Sequence, residues 1–305
     1  MNNNKTAEQW FDDGNYHFIN GHRLFVIDST RSENLNDSVD LGQKQKPILC
    51  ILHGFPTSSY DYWKVLDILA KEYRVIIHDH LGFGYSDKPI DYSYSLVEQT
   101  DMALSLWKSM GVNKATILAH DYGTSILTEM LARDNQGFCS LKIEKVILCN
   151  GSMHIELAQL RLMQKLLRNS FLGPKIAKLF SMKTLAKNLR VIYFDENKLS
   201  DQEIETIWGM MIFNNGRNVL AKISRYTFER QFLWHRWIGA LQQTELPIEI
   251  IWPDSDPIAV SKMAHVIHQE TKNSRLNWLS ESGHFPMLES PGRWSQLVLD
   301  VAKFK

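Results

Sequence analysis

The chain has 305 residues, of which 44% are hydrophobic and 22% charged, enough to bury one large core with room for an insertion. Lys+Arg and Asp+Glu balance at 34 each, so no global field recruits nucleic acid or an anionic membrane. Cys50, Cys139 and Cys149 are unclustered, and the first and last lie in apolar strand-like runs, which suits buried reduced thiols and a cytoplasmic setting. The N-terminal MNNNKTAEQWFDD has no apolar export core, and no run of eighteen apolar residues follows it.

In chain order, YHFIN and RLFVID flank Asn20-Gly21 and predict a β-hairpin. A polar stretch from Arg31 to Lys46 breaks the pattern. Short apolar runs then alternate with helical spacing: PILCILHG, a helix around YDYWKVLDILAKE, YRVIIHDH, a helix around SLVEQTDMALSLWKSMG, KATILAHD, a helix through SILTEMLARD, and KVILCNGS. Continuous apolar strands between helices predict an α/β fold with a mostly parallel sheet covered on both faces. From Met153 to Trp237 only helical spacing occurs; the strand rhythm then resumes with PIEIIWPDSD, AVSKMAHVIHQET, RLNWLS and a last helix from Arg293. The expected layout is a core of residues 1–152 and 238–305, interrupted by a helical insertion at 153–237.

The chemistry gathers at strand ends. Asp121 stands between Ala119 and Gly123 where a strand turns into a helix, the layout of a nucleophile elbow with aspartate as its reactive residue. The alternative is an ordinary helix N-cap. His53-Gly54-Phe55-Pro56 follows PILCIL, where a tight turn can aim the Phe55 amide at the same point as the Tyr122 amide, two donors for an oxyanion. Downstream, an aspartate after IEIIW, either Asp254 or Asp256, precedes His284 in the chain order nucleophile, acid, base. His78-x-His80 lacks further ligands at useful spacing, so no metal is expected. From Arg161 to Ile192 there are eight Lys or Arg and no acid among Leu, Met and Phe; the stretch reads as a solvated face, or as a weak contact for an anionic membrane.

HGFPTSSYDYW, DHLGFGYSDKP, AHDYG, NNGRNVL, RWIGAL, PIEIIWPDSDP and SGHFPMLESP stand in fixed order along nearly the whole chain. In this the sequence resembles α/β-hydrolases of the epoxide hydrolase and haloalkane dehalogenase group, and most of all mesoderm-specific transcript-like proteins. The resemblance implies Asp121 as nucleophile, His284 as base, Asp256 before Pro257 as acid, and the insertion as a cap over them. It implies no cofactor and a small apolar electrophile as substrate. A carboxylate, ionised at neutral pH, suits displacement at an sp3 carbon, leaving an alkyl ester that water opens. Epoxide opening also needs proton donors, which the family takes from two cap tyrosines. Tyr226 falls where the second is expected; the first has no clear counterpart, since Tyr193 is poorly placed. The halide-cradling positions read Tyr122 and Phe55 here, and Trp208, Trp234 and Trp237 are the remaining indoles in or beside the cap. Epoxide-type ring opening is therefore preferred over dehalogenation, and a fold kept for ligand binding without turnover is the third reading.

Overall fold

The computed structural model describes residues 5–30 and 46–303. It opens on a helix that the sequence reading passed over, α1 (Ala7–Asp13), closed by a capping box between Thr6 and Gln9. Its Trp10 is fully buried and donates its indole N–H to Ser59 Oγ at 3.1 Å. The hairpin follows as β1 (Asn15–Ile19) and β2 (His22–Asp28), paired antiparallel. Asn20 and Gly21 both take positive φ, 48° and 86°, as a two-residue hairpin turn matched to strand twist requires. The polar stretch lies, up to residue 45, outside the described residues.

The parallel strands are β3 (Ile48–Leu52), β4 (Arg74–His78), β5 (Lys114–His120), β6 (Lys142–Cys149), β7 (Ile248–Pro253) and β8 (Ser274–Leu279). With the hairpin they form an eight-stranded sheet in the order β1-β2-β4-β3-β5-β6-β7-β8. The two hairpin strands supply the antiparallel edge, and every other pairing is parallel. Leu49, Cys50, Ile51 and Leu52 of β3 are all fully buried, because helices cover both faces of a parallel sheet.

One helix differs from expectation. The segment YDYWKVLDILAKE forms only a 3₁₀ turn at Ser59–Tyr62 and the four-residue α2 (Leu66–Leu69). Tyr60, Asp61 and Tyr62 are all buried, and Asp61 accepts from Thr57 Oγ1 at 2.6 Å, so local side-chain bonding and burial on every side replace an amphipathic helix. Beyond it run α3 (Leu96–Ser109) and α4 (Tyr122–Asp134).

Between β6 and β7 the described residues hold helices and no strand: α5 (Leu162–Leu167), α6 (Gly173–Leu179), α7 (Met182–Arg190), α8 (Asp201–Ile212), α9 (Arg217–Ile223), α10 (Tyr226–Phe232) and α11 (Trp234–Gln243). The boundary expected at 237 falls inside α11, which packs along α4. The chain ends through α12 (Ser261–Glu270), α13 (Pro286–Glu289) and α14 (Pro291–Lys303). No helix among the described residues is long and apolar enough to cross a membrane.

Residues 53–56, Asp121, Asn150, Asp256 and His284 all follow the carboxyl ends of parallel strands β3, β5, β6, β7 and β8. That edge of an open α/β sheet is where its loops converge on a ligand.

Candidate active site

The elbow is built by β5 and α4. Asp121, between them, has φ 42° and ψ −106°, a conformation that costs an L residue about 1–3 kcal/mol and persists only when its surroundings impose it. Its carbonyl takes three donors: Thr124 N at 3.1 Å, Thr124 Oγ1 at 2.5 Å and Arg230 Nη2 at 2.7 Å. Small neighbours make the turn possible. A Cβ on Gly123 would lie 2.4 Å from the Leu52 carbonyl oxygen, and one on Gly54 would lie 2.8 Å from His120 Nδ1 and 3.1 Å from Asp121 Cβ.

Asp121 makes no side-chain bond to its own helix, which removes the N-cap alternative. Instead Oδ2 accepts the Phe55 amide at 3.0 Å. Tyr122 opens α4 immediately after it. One carboxylate oxygen is thus tethered by a backbone amide, while the other, Oδ1, lies 3.8 Å from Arg230 Nη2. The turn behind Phe55 is fixed by His53, whose Nε2 accepts the His80 amide at 3.0 Å, so its Nδ1 carries the proton and donates to Gly54 O at 2.8 Å. Burial lowers His53, and lowers His78 to about 3. Among the described residues no group of three His, Cys, Asp or Glu is arranged to hold a metal.

His284 and Asp256 meet directly, Nδ1 to Oδ2 at 2.7 Å, both buried. Asp254 is exposed and bonds to its neighbour Ser255. Asp256 Oδ1 accepts the Ile258 and Ala259 amides at 2.7 and 3.0 Å, which fixes the carboxylate. Burial pushes its carboxyl up, but the His284 charge and hydrogen bond, with help from Asn150 and the Ile258 amide, bring it below the usual carboxylate value. Burial likewise disfavours a charged His284, yet the charge and hydrogen bond of Asp256, followed by the charge of Asp121, raise it to about 9.

Two residues that sequence reasoning missed complete this cluster. Asn150, just past β6 with φ 27°, donates Nδ2 to Asp256 Oδ2 at 2.7 Å and to the His284 carbonyl at 2.8 Å. Its signal in the sequence was a polar residue directly ending a buried strand, where Asn-Gly reads as a plain turn. Arg230 of α10, 1% exposed, bonds Ser125 Oγ through Nε at 2.6 Å and places Nη2 3.8 Å from Asp121 Oδ1. In SRYTFERQF it reads as one more charge on a helix, because nothing local marks it as buried.

Tyr226 stands beside the elbow. Its ring lies 5.0 Å from that of Tyr122 and 5.5 Å from that of Phe55, with the Arg230 guanidinium 4.6 Å from its centroid. Burial and then the Asp121 charge push its phenol above the usual value, so it holds its proton at neutral pH. Tyr193 is buried elsewhere, against Phe285, while the Ile192 carbonyl accepts the His284 amide at 2.8 Å. The three indoles are otherwise engaged: Trp237 donates to Glu129 Oε2 at 2.9 Å, Trp208 stacks on Phe180, and Trp234 is more than half exposed. A cavity opens between helices α5, α7 and α9 and the core. It is lined by Met163, Leu167, Phe180 and Leu185 on one side and by Phe55, Pro56 and His284 on the other.

The sheet order, the elbow and the loops at the strand ends define an α/β-hydrolase, and residues 47–291 match the family described as "alpha/beta hydrolase fold", to which the chain belongs. It is similar to the "Putative hydrolase LipZ" of Mycobacterium tuberculosis, 33% identical over 85% of this chain and 90% of that one. It is also similar to the mesoderm-specific transcript protein of Mus musculus, 31% identical over 92% of this chain and 83% of the other. Among solved structures, haloalkane dehalogenase DbeA from Bradyrhizobium elkani superposes with a TM-score of 0.76 at 18% identity, over 94% of this chain and 96% of that chain. The epoxide hydrolase CorEH gives 0.70 at 18% identity, over 95% and 96%. At those identities the structures share the fold, and the protein is a hydrolase of that fold.

Proposed function

We propose that the protein hydrolyses apolar electrophiles through an alkyl ester on Asp121, with epoxide ring opening as the favoured reaction. The observation that carries this reading is the Asp121 side chain itself: turned away from its own helix on a strained elbow, with Oδ2 on the Phe55 amide. Oδ1 attacks a ring carbon, the carbon–oxygen bond breaks, and the alkoxide takes the Tyr226 proton. Neutral His284, oriented by Asp256, then removes a proton from water, which adds to the Asp121 carboxyl carbon. Charge develops on Oδ2, where the Phe55 amide already points and the Tyr122 amide is the second donor. Collapse expels the former Oδ1 as the second alkoxide, which takes the remaining proton of the added water to complete the diol; a water oxygen stays in the regenerated Asp121 carboxylate, and the proton on His284 returns to Tyr226. The helical segment acts as the cap, and its Met163, Leu167 and Leu185 face an apolar substrate in the cavity. Ring opening is preferred to halide release because Tyr226 supports an alkoxide, whereas the Trp237 N–H is spent on Glu129.

The test is intact-mass spectrometry of His284→Gln after exposure to a panel of epoxides and haloalkanes, with Asp121→Asn as control. A gain equal to a whole epoxide, absent from the control and suppressed by adding Tyr226→Phe, is the expected result. A gain of the alkyl group alone replaces ring opening by halide displacement. No adduct across the panel overturns the ester mechanism in favour of a ligand-binding protein.

A further inference from the structure

Helices α5, α6 and α7 present a surface that the proposed reaction does not use. Leu162, Phe171 and Leu179 are 71%, 72% and 82% exposed, and Leu172 and Met182 are also exposed. On α6 the buried positions are Gly173 and Ala177, one turn apart, so Pro174, Lys175, Lys178 and Leu179 share the outward side, and Phe171 is exposed in the turn before it. Lys165, Lys175, Lys178, Lys183 and Lys187 are all exposed, and among the described residues none of them forms an ion pair. The Lys175 ammonium lies 4.5 Å from the Phe171 ring centroid, so charge and apolar surface are interleaved. The chain's charges balance only when this segment is counted, and no acid occurs from 161 to 192.

We infer that this face docks on an anionic lipid bilayer. Large apolar side chains surrounded by exposed lysines match the boundary between acyl chains and anionic headgroups, where each basic residue adds attraction and each apolar one inserts. A second copy of the chain is a poor occupant, since an isologous contact would set the same lysines against one another. Met163 and Leu167 of α5, Leu185 of α7 and Phe180 just past α6 line the cavity, so docking brings its wall to the lipid surface. Entry of a lipid-like substrate from the bilayer rests on the proposed function; the docking does not.

The experiment is flotation of the full chain with vesicles of phosphatidylcholine alone or mixed with phosphatidylserine, at low and high salt. Binding is expected only to the mixed vesicles and to weaken with salt. Lys175→Glu with Lys178→Glu should reduce it at least tenfold, since each charge removed is worth about fivefold. Phe171→Ser with Leu179→Ser should reduce it comparably. All four positions are exposed, so each variant should keep the parent's thermal melt. Failure of the unsubstituted chain to bind mixed vesicles, or full binding by both double variants, overturns the proposal. So does a dimer in solution that Phe171→Ser with Leu179→Ser dissolves.

Discussion

Replacing Asp121 by Asn tests how ester formation switches the base. His284 is raised from 6.5 to about 9, so at pH 7 only about one molecule in a hundred carries the neutral imidazole that the proposed water step requires. The preference for imidazolium is roughly 3 kcal/mol, left over after burial opposes it and the attractions of Asp256 and Asp121 outweigh burial. Esterification neutralises Asp121, and Asp121→Asn imitates that state. Since the Asp121 charge raises His284 but ranks behind both Asp256 contributions, its loss should lower the midpoint and raise the neutral fraction at pH 7. Imidazole nitrogen NMR of the two proteins reads this directly, and the single-turnover rate of ester hydrolysis should rise with pH along the lower curve. A midpoint in Asp121→Asn equal to or above that of the parent refutes the coupling. Stability supplies the sign: a raised pKa stabilises fully below 6.5 and loses that contribution as pH climbs through about 9. Urea midpoints should therefore fall over that window, and fall earlier for Asp121→Asn.

Gly123→Ala should prevent folding or cost more than about 3 kcal/mol, because its Cβ would sit 2.4 Å from the Leu52 carbonyl, a backbone atom that cannot yield. Gly209→Ala, with nothing within 4 Å and a place inside α8, should instead stabilise by about 1 kcal/mol. Equal urea midpoints for the two would sink the steric account of the elbow. Arg230→Met should cost about 1–3 kcal/mol in urea denaturation and lower the rate of Asp121 esterification more than it changes substrate affinity. A loss of affinity alone would move Arg230 from positioning the elbow to binding substrate.

Strand ends carried most of the legible information. A parallel strand buried on both faces must be apolar, so the polar residue that follows each one stands out: Asp121 after KATILAH, the loop aspartates after IEIIWP, His53 after ILCIL. What stayed hidden depended on partners far away in sequence. Arg230 is buried because it meets an elbow 109 residues earlier, and Asn150 bonds a carbonyl 134 residues later. The broken helix at YDYWKVLDILAKE failed for a related reason, since Tyr60, Asp61 and Tyr62 are all buried, with partners far away in sequence, Trp10 and Trp294 among them, which local spacing does not reveal. The α1 capping box was readable from Thr6 and Gln9 but lay outside the repeating strand-helix pattern.

The elbow and the base loop are both held partly from outside the sheet. A strained φ at Asp121 survives only if its carbonyl is fixed, and one of its three donors comes from α10. The His284 amide is bound by the carbonyl of Ile192, also outside the sheet, and Gly283 is bare because a Cβ there would lie 2.5 Å from that same oxygen. The α10 helix is in turn fastened by Glu229, which accepts the Leu96 amide at 2.9 Å at the start of α3. The Arg230 side chain and the Ile192 carbonyl thus join the helical segment to the loops that carry Asp121 and His284. Any displacement of that segment would disturb Asp121 and His284 together, so its seating on the core is a condition of the site's geometry, whatever part it takes in the proposed reaction.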